Sequence, residues 1–287
     1  MAVFSLQAQP RNAAEWLDTA RRAEAAGFEA LYTADHPGSG AAPHVALAAA
    51  AAVTTRIKLG AYVVNAGVRE PMLLAGDVAT LDVVSGGRAI LGIGAGHTPA
   101  EWRGVGRTRP DVNGRVDHCI TVAETARALL AGRRVGDAFL DEPKPVQDKV
   151  PLLIGGGNTR LLRWAAEHAD IIGLSGLGRT LQDGHQHEVR WRPDQIDAQI
   201  DLVRGATVEA LVQHIELTDD AGRVLAERFG PLDVGEAELA AAPYTLVGTA
   251  EEIVAKVREN ERRWGITRYA VRAPAIEVLG PLMSRLM

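Results

Sequence analysis

Cysteine is nearly missing from this sequence. The single one, Cys119, excludes an internal disulfide and any cysteine-rich metal site, and its place in a helical pattern marks it as a small core residue. Surplus positive charge is missing too: 31 Lys and Arg against 36 Asp and Glu leave a net charge of −5, which offers no general attraction to nucleic acid or to an anionic membrane. An anionic ligand must therefore be held by local donors. No apolar run is long enough to cross a bilayer, because residues 41–53 are alanine-rich but short and only weakly apolar. Residues 1–10 carry neither a basic leader nor the apolar segment of a signal peptide, so a cytoplasmic protein is expected. No midway linker and no internal repeat break the chain. Residues 1–287 are therefore expected to form one domain, with loop excursions at about 97–112, 136–150 and 175–191.

What the sequence does have is alternation. Apolar runs at 3–7, 30–35, 57–64, 89–93, 152–154, 171–174, 210–217 and 267–271 read as strands. Helical spacing fills the intervals: 12–26 between the cap Asn12 and the stop Gly27, 43–52, 71–81 with Pro71 in its first turn, 113–130, 159–168, 192–203 and 219–229. A helix at 251–264 opens on Thr249 and Glu252 as a capping box, and a last one covers 276–286. Eight strands alternating with helices predict an α/β fold, a closed (βα)8 TIM barrel of parallel strands, in preference to a doubly wound open sheet. Residues 97–112 read as irregular, 136–150 with Pro143 and Pro145 as a small hairpin-like excursion, and 175–191 as a loop over an active site.

Barrel enzymes build their sites where strands end. Asp35 and His36 stand there, after an apolar run and before Pro37 and Gly38, although capping by Asp35 and an ordinary loop histidine are the alternative. Gly155, Gly156, Gly157, Asn158 and Thr159 join a strand to a helix, where glycine lets the backbone approach an anion and the helix N-terminus offers amides; a tight turn without ligand is the alternative. Gly92, Gly94 and Gly96 imitate a dinucleotide fingerprint, but its third glycine would fall on His97, which excludes a Rossmann site. Asp82 and Arg88 flank a turn at a strand's start and read as structural. His185 and His187 suggest a metal, yet no third ligand stands at a telling position, and no metal is expected. Trp102 and Trp191 either line a substrate pocket or anchor loops, while Arg103, Arg107 and Arg109 add local positive charge.

Four segments in this order, residues 25–36, 59–71, 79–88 and 152–159, together resemble the bacterial luciferase-like superfamily of flavin- or deazaflavin-dependent oxidoreductases, and within it the branch using coenzyme F420. The resemblance implies a luciferase-like barrel, a homodimer, and a cofactor ring at the C-terminal end of the strands. Asp35 and His36 match an Asp-His pair that, in a related sugar-phosphate dehydrogenase, hydrogen-bonds the deazaflavin and handles a proton. His36 is thereby a catalytic candidate, and Asp35 would bind cofactor or fix the imidazole's geometry or tautomer. Tyr62 and Val63 match the family's non-proline cis peptide behind the ring, and Asn65 is a candidate for its pyrimidine edge or else a turn residue. His97 stands where that dehydrogenase has a catalytic glutamate, and Gly40 where it has a tryptophan, which argues against sugar-phosphate oxidation. His97 remains a candidate second proton donor, with an ordinary core or loop histidine as the alternative.

The expected function is hydride transfer between coenzyme F420 and a small organic substrate, with no nucleic-acid or membrane partner. The alternatives are an FMN-dependent luciferase-like monooxygenase, whose flavin forms an oxygen adduct that a deazaflavin cannot, a metal-dependent barrel hydrolase, and a flavin-binding barrel without turnover.

Overall fold

Strand β1, Val3–Gln7, shows the pattern that builds the molecule: Phe4 and Leu6 turn outward into an apolar layer, while Ser5 and Gln7 turn inward. The computed structural model describes residues 1–180, 187–230, 232, 234–273 and 275–286. Seven further strands follow: β2 Ala30–Thr33, β3 Lys58–Ala61, β4 Ala89–Gly94, β5 Leu152–Gly155, β6 Ile171–Leu174, β7 Val208–Leu211 and β8 Arg268–Arg272. Each pairs in parallel with the next, and β8 pairs with β1, so the sheet closes into a barrel. Because all eight run the same way, every strand end that carries a candidate residue lies on one rim.

Helices α1 Ala13–Ala25, α2 Pro43–Ala51, α3 Pro71–Ser85, α4 Pro99–Gly104, α5 Val112–Leu130, α6 Thr159–His168, α7 Pro193–Leu202, α8 Ala221–Phe229, α9 Glu236–Ala241 and α10 Ala250–Trp264 complete the described chain with short C-terminal turns. Their limits follow local chemistry. The Asn12 side chain accepts the Glu15 amide ahead of α1, Gly86 ends α3 in the left-handed conformation, and the Thr249–Glu252 capping box opens α10. The main core lies between strands and helices. A second, smaller one fills the barrel with Ala30, Tyr32, Tyr62, Ile90, Leu153 and their neighbours.

Six expectations are corrected. The run 57–64 is two strands, because the chain breaks after β3 at Tyr62 and resumes at Val64–Asn65. The run 210–217 also divides: β7 ends at Leu211, and His214–Leu217 pairs with Thr245–Gly248 in a separate two-stranded sheet. Residues 97–112 contain α4, started by Pro99. The excursion 136–150 forms no hairpin beyond a Val135–Ala138 bridge; its backbone is tied instead to Asp82, which accepts the Val146 and Gln147 amides. The last helix is interrupted at Gly280–Leu282, where Pro281 disrupts the ladder. The loop expected at 175–191 contains an antiparallel pair, Leu177–Thr180 with His187–Val189.

Candidate active site

β2 ends at Thr33, and the chain then delivers Asp35 and His36 to the rim. Asp35 is buried and fully engaged: it accepts Nε (2.9 Å) and Nη2 (2.5 Å) of Arg69 and the backbone amide of Asn65 (3.2 Å). A buried carboxylate needs such partners. The expectation that Asp35 orients His36 or binds cofactor directly is therefore corrected, since its lone pairs lock the β2 end to the segment after β3.

Orientation of His36 falls to a residue the sequence reading passed over. Glu101 on α4 is 5% exposed and its Oε1 lies 2.8 Å from His36 Nδ1, whose side chain is 43% exposed. Its other oxygen accepts Asn65 Nδ2 at 2.6 Å. The Glu101 hydrogen bond raises the His36 pKa above its ordinary value, burial opposing it. For Glu101, burial pushes toward the neutral form, but the hydrogen bonds from His36 and Asn65 prevail and hold the carboxyl below its usual range. The bond to an ionised carboxylate assigns the proton to Nδ1 and leaves Nε2 without a protein partner among the described residues. In the sequence, Thr98 and Glu101 have the spacing of a capping box, a pattern that conceals a carboxylate engaged elsewhere.

Asn65 is a turn residue first. Its Oδ1 accepts the Gly67 amide and its Nδ2 serves Glu101, so the amide supports the acid–imidazole pair and is not turned to a ring edge. Gly96 approaches the same amide closely enough that a Cβ there would overlap it.

The peptide bond between Tyr62 and Val63 is cis, as the resemblance implies. Gln7 donates to the Tyr62 carbonyl at 2.7 Å, and the Val63 side chain fills the space a Cβ would take at Gly94 and Gly155. Gly155 is thus a packing glycine at the end of β5, not an anion contact.

The anion-binding expectation divides similarly. The Gly156 amide donates to Gly173. Asn158 caps α6 by accepting the Arg160 and Leu161 amides, consuming two donors expected to face a ligand. The amides of Gly157, Asn158 and Thr159 stay outside the helix ladder. Gly157 and Thr159 line a cavity of about 200 Å³ together with Arg190, Gln195 and Gln199. Arg190 donates to the Gly157 carbonyl at 2.7 Å, and the buried Gln199 Oε1 has no hydrogen-bond partner. Backbone donors, a helix N-terminus and a guanidinium make this cavity chemically suited to a phosphate. Arg190 lacked any sequence signal, because a pleated two-stranded loop brings it there.

His97 stacks edge-on against His36, with ring centroids 5.8 Å apart, and against His187 at 4.6 Å. Burial, then the neighbouring His187 and His36, lowers its pKa to about 4. It is therefore neutral near pH 7 and does not act as an imidazolium donor. Trp102 is buried over Gly67 and Trp191 against Tyr244 and Phe229, so both anchor loops. Arg107 is spent on Glu70 and the Gly67 carbonyl, and Arg103 is exposed. Asp82 and Arg88 are structural: Asp82 holds the 146–147 backbone, and Arg88 donates to the carbonyls of Ala51, Thr54, Ile57 and Ser85. Cys119 is buried, its thiol pushed up to about 12 by burial. Among the described residues no three His, Cys, Asp or Glu converge on a metal position, and His185 lies outside the described residues. No described helix is long and apolar enough to cross a membrane.

A profile of the luciferase-like monooxygenase family matches residues 2–199. An uncharacterized protein of Mycobacterium tuberculosis is 33% identical over 181 residues, which are 53% of this chain and 64% of the relative, so the match spans less than two thirds of that relative's length. The coenzyme F420 dependent tetrahydromethanopterin reductase of Methanopyrus kandleri superposes over 100% of this chain and 99% of its own at a TM-score of 0.76 and 19% identity. The oxygenating constituent of 3,6-diketocamphane monooxygenase from Pseudomonas putida, in complex with FMN, superposes over 100% of this chain and 96% of its own at 0.71 and 18%. At such identities the two structures establish a shared fold.

Proposed function

The chain belongs to the luciferase-like monooxygenase family, and from that premise we propose that it is an oxidoreductase that uses coenzyme F420 to exchange a hydride with a small organic substrate. The observation that carries the reading is the Glu101–His36 pair at the end of β2, on the same rim as the Gly157–Arg190 cavity at the end of β5. One ligand with an anionic tail and a reactive ring fits that division.

The residues fit such a group. Gly157, Thr159 and Arg190 would hold its phosphate, and the Tyr62–Val63 peptide, supported by Gln7 and seated on Gly94 and Gly155, would back its ring. When bound, the deazaflavin supplies a ring carbon that accepts or returns a hydride. The protein's part is the proton. A substrate losing hydride from a carbon must also release the proton of the attached oxygen or nitrogen, and in this reading His36 Nε2 takes it. Glu101 keeps the proton on Nδ1 and steadies the imidazolium as the charge arrives. In the opposite direction the raised pKa keeps His36 stocked with the proton it gives back.

The FMN-dependent monooxygenase remains a second reading, supported by the likeness to an FMN-bound monooxygenase fold. Titrating purified apoprotein with each cofactor separates them. Binding of F420 is expected; tight FMN binding with no affinity for F420 would replace the first reading by the second. We also propose that the chain acts as a homodimer in the cytoplasm. The outward faces of α2 and α3 support the dimer, carrying Val45 at 75% and Leu73 at 69% exposure beside Met72, Val83 and Val84.

A further inference from the structure

On β8, Arg268 and Ala270 face the barrel interior: Arg268 lies by Glu29 and Glu209, and Ala270 belongs to the inner core. Strand alternation turns Arg272 inward as well, at the last level below the rim and in register with Gln7. Arg272 is accessible to solvent there, and among the described residues no carboxylate, carbonyl or hydroxyl accepts from it. Arg69, at the end of the segment after β3, is by contrast tied to the buried Asp35.

The charges around Arg272 make its isolation more marked. Burial in the barrel mouth disfavours the charge of Arg272 first, and Arg228, in the last turn of α8, adds to that, while Arg272 weakly opposes the protonation of His36. Packing does not require a cation that repels two neighbours. An anion seated between them relieves both repulsions and gives the guanidinium the bidentate partner its geometry fits. The cofactor proposed to run from the Gly157–Arg190 cavity at β5 to His36 at β2 leaves β8, two strands beyond β2, to another ligand.

We infer that the substrate of this site carries an oxyanion, carboxylate or phosphate, which Arg272 receives with Arg228 beside it, holding the reacting carbon near His36. The inference rests on the proposed oxidoreductase reading and adds a substrate class to it.

The test uses the full-length apoprotein and NMR of its histidine rings. Inorganic phosphate and acetate are titrated separately, and the stronger binder identifies which oxyanion the site prefers. In the wild type at least one of them should shift the His36 resonances saturably. Arg272→Gln should weaken that response at least about tenfold and raise the His36 pKa, whereas Arg272→Lys should restore part of the response. Arg190→Gln, which affects the other cavity, should leave it in place. An unchanged response in Arg272→Gln, or none to either anion in the wild type, overturns the inference. Cofactor affinity is measured on the same samples: Arg272→Gln is expected to keep it, and loss of F420 binding in the wild type would instead refute the cofactor assignment.

Discussion

His36 owes its chemistry to one contact, the 2.8 Å hydrogen bond to a nearly buried carboxylate. Replacing His36 with Ala should lower turnover by about 10²- to 10⁴-fold, the usual contribution of a positioned acid–base group, while cofactor binding persists. Unchanged turnover would remove His36 from its role. Glu101→Gln should let the His36 pKa fall toward its ordinary value and move the pH profile of activity to lower pH, which NMR titration and rate measurements check independently. His97 should titrate near 4. The sequence made His36 readable because an apolar run ends on it. Glu101 was unreadable because the helix that carries it is six residues long and lies within a stretch without periodicity. Asp35 shows the reverse error: a chemically attractive residue at a strand end proves to be consumed by Arg69, a partner 34 positions away.

Among the elements, strand positions follow from apolar patterning, but their breaks are set by tertiary contacts that no local pattern records. Glycine is the clearest case. Gly94 and Gly155 resemble flexible loop residues in sequence, yet a Cβ at Gly94 would come within 2.5 Å of Val63. Gly94→Ala should therefore destabilise the fold by about 1–3 kcal/mol, as overpacking does, visible as a lower Tm without a change in secondary-structure content. The start of α6 offers a complementary test. Asn158→Ala removes a cap and should cost about 1 kcal/mol in stability, whereas Arg190→Met should spare stability and weaken cofactor binding at least about tenfold. Equal losses of stability in both variants would mean that Arg190 is only a structural tie to Gly157.

For the whole molecule, the two titrating histidines give stability opposite slopes. The native pKa of His97, near 4, lies below the unfolded value of about 6.5, so the unfolded chain binds more protons between those limits and acidification through that window destabilises the fold. The native pKa of His36 lies above 6.5, so its contribution is complete below that value and fades as pH rises through the native pKa. Thermal unfolding against pH should show a shallower acid slope in His97→Gln, the remainder coming from groups such as Glu24, and a shallower alkaline decline in His36→Gln, a decline that the lowered pKa of Lys256 opposes. Sedimentation should find a dimer in the wild type, and Leu73→Glu should dissociate it without unfolding the barrel.

The central claim is that one ligand spans the Arg190 cavity and the His36–Glu101 pair on a single rim. Fluorescence titration of the apoprotein with F420, in the wild type, Arg190→Met and His36→Ala, tests it most directly. The account predicts F420 binding in the wild type, weakened binding in Arg190→Met, and bound but unreactive cofactor in His36→Ala. Wild-type protein that ignores F420 and binds FMN tightly contradicts it.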